Sequence, residues 1–241
     1  MDSLWVVVPT YNERENIAEL VRRAILALPT AHLLVVDDSS PDGTAEAVGG
    51  LQLTYPNLHL IKRVGKLGLG SAYRAGFRYA LAHGALVVGE MDADLSHRPE
   101  DVPRLLAAVR QGVDVAIGSR RVPGGRVVGW GFQRHLMSWG AMATARLVLG
   151  LKTHDVTSGF RLYTKKALAS IPWAGVESNG YAWQEELVYL CERAGLNLAE
   201  VPVVFVDRTA GVSKLHLKDI VEFFATMVRL KAAPSKEVLS S

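Results

Sequence analysis

A single cysteine, Cys191, stands in 241 residues. One thiol can form neither an internal disulfide nor a cysteine-based zinc site, and it fits a reducing compartment. Cys191 reads as a buried core residue. Long apolar runs are missing too. The longest stretch without Asp, Glu, Lys or Arg, Ala47 to Ile61, contains Gly49, Gly50, Gln52, Pro56 and Asn57, and will not sit in a bilayer as a helix. Met1-Asp2-Ser3-Leu4 has no basic n-region and no cleavage-like site. No signal peptide is expected, and the predicted compartment is the cytoplasm. Repeats, low-complexity segments and long linkers are also lacking, which argues for one domain. With 49% hydrophobic and 21% charged residues, a wholly disordered chain is excluded.

The most informative absence is of negative charge. Between Asp114 and Asp155 there is no acid, while Arg120, Arg121, Arg126, Arg134, Arg146 and Lys152 lie there. Those six cations exceed the net charge of +3, so the rest of the chain is net acidic. One segment is a concentrated anion-facing surface.

What is present alternates. Apolar runs at Leu4–Val8, Leu33–Val36, Leu58–Ile61, Leu86–Met91 and Val113–Ile117 read as buried strands. Helices are expected between them: one capped by Asn12 with Glu15 three residues on, one opened by Ser40-Pro41, then Ser71–Ala82 and Pro99–Arg110. This pattern predicts an α/β fold whose parallel sheet is covered on both faces, with ligands at the carboxyl ends of its strands. Later, Trp130–Leu149, Tyr181–Ala194 and Leu217–Lys231 read as helices and Ala199–Val206 as a strand. In the last helix Leu217, Ile220, Val221, Phe224, Met227 and Val228 share a face.

Three clusters carry chemistry. Asp92-Ala93-Asp94 follows a strand, and two carboxylates so spaced can reach one hard cation, or simply serve a solvated turn. Asp37 and Asp38 end another strand; one could accept hydrogen bonds from a base or ribose, while Asp37 and Asp42 could serve the turn and the next helix start. Gly65-Lys66-Leu67-Gly68-Leu69-Gly70 precedes a helix whose N-terminus favours an anion, but it is neither a dinucleotide fingerprint nor a Walker A loop. His97 and His135 read as turn or surface histidines. Trp130, Met137, Trp139, Met142, Phe223 and Phe224 could be core or a lipid-facing surface.

Together these pieces resemble family 2 glycosyltransferases of the GT-A fold. The resemblance rests on Val8-Pro9-Thr10-Tyr11-Asn12-Glu13, the run from Asp37 to Thr44, Lys66 to Gly70, and Met91 to His97. Ile117-Gly118-Ser119-Arg120, Trp130 to Ser138, Ser158 to Tyr163, Gln184 with Glu186, and Phe205-Val206-Asp207-Arg208 with Ser213-Lys214-Leu215 are similar to the polyprenol (dolichol) phosphate mannose synthases. It implies one domain over 1–231, with a Rossmann-like nucleotide-sugar half at 1–118, an acceptor and membrane-facing half at 119–231, and a tail at 232–241. The implied sheet is mixed and mostly parallel. The implied activity is inverting transfer of mannose from GDP-mannose to a polyprenyl or dolichyl phosphate, peripherally at the cytoplasmic membrane face.

The resemblance also implies residues. Pro9, Tyr11, Glu13, Val36, Asp38, Lys66, Asp92, Ala93, Asp94, Arg120, Arg208 and Lys214 would hold the nucleotide-sugar. Asp92 and Asp94 would bind Mg2+ or Mn2+, with Ser96 where some members carry a glutamine. Arg120, Arg134, Ser138 and Arg208 would face the acceptor phosphate, and Asp94, Arg120 and Arg134 would be catalytic. No nucleic-acid partner is expected. Two alternatives stand beside this one: a UDP-sugar donor, and a nucleotide-binding module without catalysis.

Overall fold

A computed structural model describes residues 3–207 and 217–232. Arg208, Ser213, Lys214, Leu215 and the tail beyond Ala232 lie outside the described residues.

The first half follows the alternation. Strands β1 (Leu4–Thr10), β2 (His32–Asp37), β3 (Leu58–Lys62) and β4 (Val87–Glu90) are separated by helices α1 (Ile17–Ala27), α2 (Thr44–Gln52) and α3 (Leu69–Ala82). Helix α4 (Val102–Arg110) leads to β5 (Val115–Ser119). Then come β6 (Arg126–Val128), α5 (Phe132–Leu149), β7 (Arg161–Thr164), α6 (Lys165–Ala169), α7 (Gly180–Arg193), β8 (Leu198–Pro202), β9 (Val204–Val206) and α8 (Leu217–Ala232).

The main sheet has the order β3-β2-β1-β4-β7-β5-β8, and β6 pairs with β9 in a separate ribbon. Strand β7 alone runs antiparallel to its neighbours in the main sheet. Alternate residues of β1 enter two cores. Trp5 and Val7 pack with α3, α5, α7 and α8, while Leu4, Val6 and Val8 pack with α1, α2 and α4. Burial on both faces explains why the strands read as continuous apolar runs.

Several local expectations are corrected. Asn12 does not cap α1: it sits at φ 58°, and Asn16 precedes the helix. Pro41 lies in the turn before α2, whose first residue is Thr44; Asp42 accepts from the Thr44 N–H at 3.0 Å. The expected single strand Ala199–Val206 breaks after Pro202 into β8 and β9. Helix α8 buries Phe223, Met227 and Leu230, so Val221, Phe224 and Val228 face out. Cys191 is buried, as expected, and burial pushes its thiol up to about 12. No helix among the described residues is long and apolar enough to cross a membrane.

Candidate active site

Because β7 is antiparallel to both β4 and β5, the carboxyl ends of β1, β2, β4 and β5 share one edge. Pro9 pairs with Val36 at that edge, and Thr10 with Asp37. Asp37 accepts from the Thr10 hydroxyl at 2.8 Å and from the Ser40 N–H at 2.9 Å, so it serves the turn. Glu13 is buried and takes the Asn16 amide at 2.9 Å. The Lys66 ammonium lies 4.3 Å from the Tyr11 ring centroid, a cation–π approach.

The glycine-rich loop already holds an anion from the protein itself. Asp38 accepts from the N–H groups of Leu67 (3.0 Å) and Gly68 (3.1 Å) and from Arg63 Nε at 2.6 Å. Asn179 accepts from the Gly70 N–H at 3.2 Å. Gly68 has φ 93°, and a Cβ there would fall 2.6 Å from the Asn179 oxygen, so only glycine fits. The amides expected to face a ligand phosphate instead anchor the loop to β2 and α7.

Asp92 and Asp94 leave β4 at the same edge. Leu95 has φ 62°, a conformation uncommon for a side-chain-bearing residue. Its turn lets the Ser96 N–H reach Asp94 at 3.1 Å, while the Ser96 carbonyl accepts from Val206 of β9 at 3.3 Å. Ala93 is buried beneath this turn. The Ser96 hydroxyl is buried without a hydrogen-bond partner. An orphaned hydroxyl beside two carboxylates suits a hard cation, which takes oxygen ligands. Among the described residues no group of three His, Cys, Asp or Glu could hold a metal.

His97 corrects the surface reading. It is buried, stacked on Phe160 with centroids 5.0 Å apart, and accepts from the Asp92 N–H on Nδ1 at 3.3 Å. Burial pushes it down to about 4, so the ring is neutral and supports the Asp92 backbone. His135 is half-buried beside Trp130, with ring centroids 5.6 Å apart.

The arginines are placed differently from one another. Arg120, at the end of β5, is buried and gives Nε and Nη2 to Asp155. Arg134, on α5, gives Nη1 to both oxygens of Asp207 and lies 4.1 Å from the Trp130 centroid. Arg121 Nη2 donates to the Ser138 hydroxyl at 2.9 Å, tying β5 to α5. Arg120 and Arg134, expected as phosphate cations, thus each carry an acidic partner.

Sequence reasoning missed a buried network beneath this edge. Glu90, the residue before Met91, accepts from Trp183 Nε1 at 2.8 Å, and Tyr163 lies at 3.4 Å. Arg161 donates to the carbonyls of Gln184 and Val156, both at 2.8 Å. Burial pushes the Glu90 carboxyl up to about 7, and that of Glu185 up to about 8. Both oxygens of Glu185 are buried without hydrogen-bond partners. Arg161, Tyr163 and Gln184 stand in segments that carried the resemblance but were given no role there, Asp155 closes the acid-free stretch and Arg121 adjoins Arg120; Glu90, Trp183 and Glu185 carried no sequence signal.

The model of Glycosyl transferase family 2 matches residues 5–171. The chain belongs to that family. Its fold is GT-A, a mixed and mostly parallel sheet flanked by helices. It is 46% identical over 218 residues to the polyprenol monophosphomannose synthase of Mycolicibacterium smegmatis, covering 90% of this chain and 82% of the relative. It is 44% identical over 209 residues to the undecaprenyl-phosphate mannosyltransferase of Micrococcus luteus, covering 87% and 86%. Among solved structures, a Pyrobaculum calidifontis mannosyltransferase in complex with GDP-Man and Mn2+ aligns at a TM-score of 0.61. That alignment has 20% identity and covers 98% of this chain and 68% of that one. At that identity the likeness concerns the fold alone.

Proposed function

We propose that the protein transfers mannose from GDP-mannose to a polyprenyl or dolichyl phosphate, with inversion at the sugar, as a peripheral protein at the cytoplasmic membrane face. The observation that carries this reading is one sheet edge bearing Asp92, Asp94 and the orphaned Ser96 hydroxyl, with Arg120 of the acid-free stretch close enough to interact with Asp92. The names of the two bacterial relatives support the sugar and the lipid class.

Asp92 and Asp94, with Ser96, would hold a divalent cation, Mg2+ or Mn2+. Bound there, it would neutralise the donor diphosphate as it leaves. Pro9, Tyr11, Glu13, Val36, Asp38, Ala93 and Lys66 would form the nucleotide-sugar pocket, with Arg208 and Lys214 near its phosphates. A phosphate monoester has a second pKa near ~6, so at neutral pH the acceptor oxygen is already a nucleophile and needs no side-chain base. That oxygen attacks the sugar's anomeric carbon as the bond to the diphosphate breaks on the opposite face. The protein's task is to bring two anions together, which requires fixed cations.

Helix α5 carries a second apolar stripe opposite its core face: Phe132, Leu136, Trp139 and Leu147 are exposed, Leu147 by 84%. Val221, Phe224 and Val228 do the same on α8. Such helices suit the interfacial plane of a membrane.

The test is transfer of radiolabelled mannose from GDP-mannose into polyprenyl phosphate with Mn2+ or Mg2+, with UDP-glucose run in parallel. A mannosyl lipid is expected. Transfer from UDP-glucose alone favours the UDP-sugar reading, and nucleotide binding without transfer to any lipid favours a binding module.

A further inference from the structure

The first turn of α3 is capped from a distant part of the chain. Gly68, the residue before the helix, has no side chain to cap it, and the Gly70 N–H is among the donors a helix leaves without an internal partner. Asn179 supplies the acceptor at 3.2 Å. Its amide nitrogen donates to the Glu177 carbonyl at 3.4 Å, so both ends of the side chain are used and its orientation is fixed. A Cβ on Gly70 would run into the Ser178 carbonyl, and Arg74 of α3 donates to the Val176 carbonyl. The segment from Val176 to Asn179 therefore lies flush on the start of α3.

Helix α8 grips the same segment. Glu222 accepts from the Asn179 N–H at 2.9 Å. Arg229, seven residues on and so on the same helical face, donates to the Ser178 hydroxyl at 3.1 Å and to Glu186 of α7 at 2.6 Å. A relay of hydrogen bonds thus runs from Glu222 through Asn179 to Gly70. On the β2 side of the loop, Asp38 takes the Leu67 and Gly68 N–H groups, and Arg63 ties Asp38 to the Ser71 hydroxyl. Lys66 adjoins this doubly held stretch, so its reach over Tyr11 depends on where the loop is held.

We infer that Asn179 is a positioning residue for the nucleotide-sugar pocket, and that through it Glu222 passes the placement of α8 to the glycine-rich loop. This rests on the reading above that Tyr11, Asp38 and Lys66 line that pocket. The relay sets how often the loop is ready for the donor, so it acts on donor affinity and leaves the chemical step alone. Because α8 presents Val221, Phe224 and Val228 outward, the helix proposed to lie on the membrane is also the one that sets the loop.

The experiment uses the full chain with Mn2+ and compares wild type, Asn179→Ala, Asn179→Asp, Glu222→Ala, Glu222→Gln and the double alanine variant. Calorimetry gives GDP affinity, and initial rates give kcat and both KM values. One broken hydrogen bond that leaves the loop ready about a tenth to a third of the time lowers apparent affinity by about threefold to tenfold. Asn179→Ala should show that loss for GDP and the matching rise in donor KM, with kcat and acceptor KM within about twofold of wild type. Asn179→Asp keeps an acceptor for the Gly70 N–H and should recover most of the loss. Glu222→Ala should weaken GDP binding in the same direction, and Glu222→Gln, which keeps an oxygen for the Asn179 N–H, should not. The double variant should be no weaker than Asn179→Ala, because both residues act through one path.

GDP affinity within twofold of wild type in Asn179→Ala overturns the inference. So do equal losses in kcat and in both KM values, the mark of a general structural defect, and an Asn179→Asp variant as weak as Asn179→Ala. Additive losses in the double variant overturn the relay from Glu222. If Asn179→Ala does not fold, Glu222→Ala against Glu222→Gln decides by the same readouts. Wild type that binds GDP yet moves no mannose sinks the transfer reading and leaves the calorimetric comparison standing; binding of UDP instead carries that comparison over to UDP. Wild type that binds neither nucleotide overturns the inference together with the pocket.

Discussion

Asp155 holds Arg120 by three hydrogen bonds, from the backbone N–H at 2.9 Å, from Nε at 2.8 Å and from Nη2 at 2.6 Å. Asp155 is held in turn, its N–H donating to Glu200 of β8 at 2.9 Å. Burial would raise the Asp155 carboxyl, but the Arg120 charge and hydrogen bonds outweigh it and keep the group below the usual carboxylate range. The end of β5 is therefore fixed through β8, its direct neighbour in the main sheet.

Asp155→Asn should cost about 3–5 kcal/mol of stability at pH 7, because it leaves Arg120 buried and unpaired. A depressed carboxylate contributes stability above its unfolded pKa near ~3.9, and that contribution is lost as pH falls through the folded value. Urea unfolding of both proteins from pH 7 downward checks this: the gap should narrow below about pH 4. Equal midpoints at pH 7 would show that the pair is energetically idle.

Asp94→Asn should remove most transfer activity and leave the fold intact. The substitution keeps the acceptor for the Ser96 N–H but removes the charge expected to hold a divalent cation. Turnover at saturating donor, beside the thermal midpoint without metal, is the measurement. Normal turnover would refute the metal assignment.

Glu185→Gln should stabilise the protein at neutral pH. Burial pushes this carboxyl up to about 8, with the Glu186 charge adding to the rise. The folded state thus binds the proton more tightly than the unfolded chain, whose value is near ~4.3. Stability relative to the amide is full below that value and is lost as pH climbs toward 8. The gain should be small at pH 4.5 and on the order of 1–3 kcal/mol by pH 8. Thermal midpoints of both proteins across that range decide it; a gain that does not grow with pH would be inconsistent with a titrating Glu185.

Trp139→Glu should weaken vesicle binding without altering GDP affinity. Trp139 is 62% exposed on the outer stripe of α5 and is not part of either hydrophobic core. Wild-type flotation with anionic vesicles should weaken with added salt, because screening acts on the basic residues. Unchanged flotation of Trp139→Glu would remove α5 from the membrane contact.

Much of the fold was legible because strands and helices of a doubly covered sheet leave periodic apolar signals. Strand β7 was not, although it sits between β4 and β5 in the main sheet. It has four residues and begins with Arg161, a residue type normally read as exposed. Arg161 is buried because carbonyls of Val156 and Gln184 receive its guanidinium. Helix α8 shows the other limit: periodicity revealed apolar residues but assigned Val221, Phe224 and Val228 to one shared face with Met227, whereas only Met227 of these is buried. A helix apolar on two sides does not announce which side has a neighbour.

The sequence by itself determined the strand–helix alternation, the carboxylates at the strand tips and the acid-free stretch, because each depends on residues close together in the chain. Only the tertiary structure decided what those charges face. Asp155 lies 35 residues from Arg120, and Asp207 lies 73 residues from Arg134. Folding brings these acids in from beyond the basic segment and neutralises two of its arginines. It leaves Arg121 opposite a hydroxyl. An electrostatic interaction depends on distance in space and on burial, and neither is set by distance along the chain.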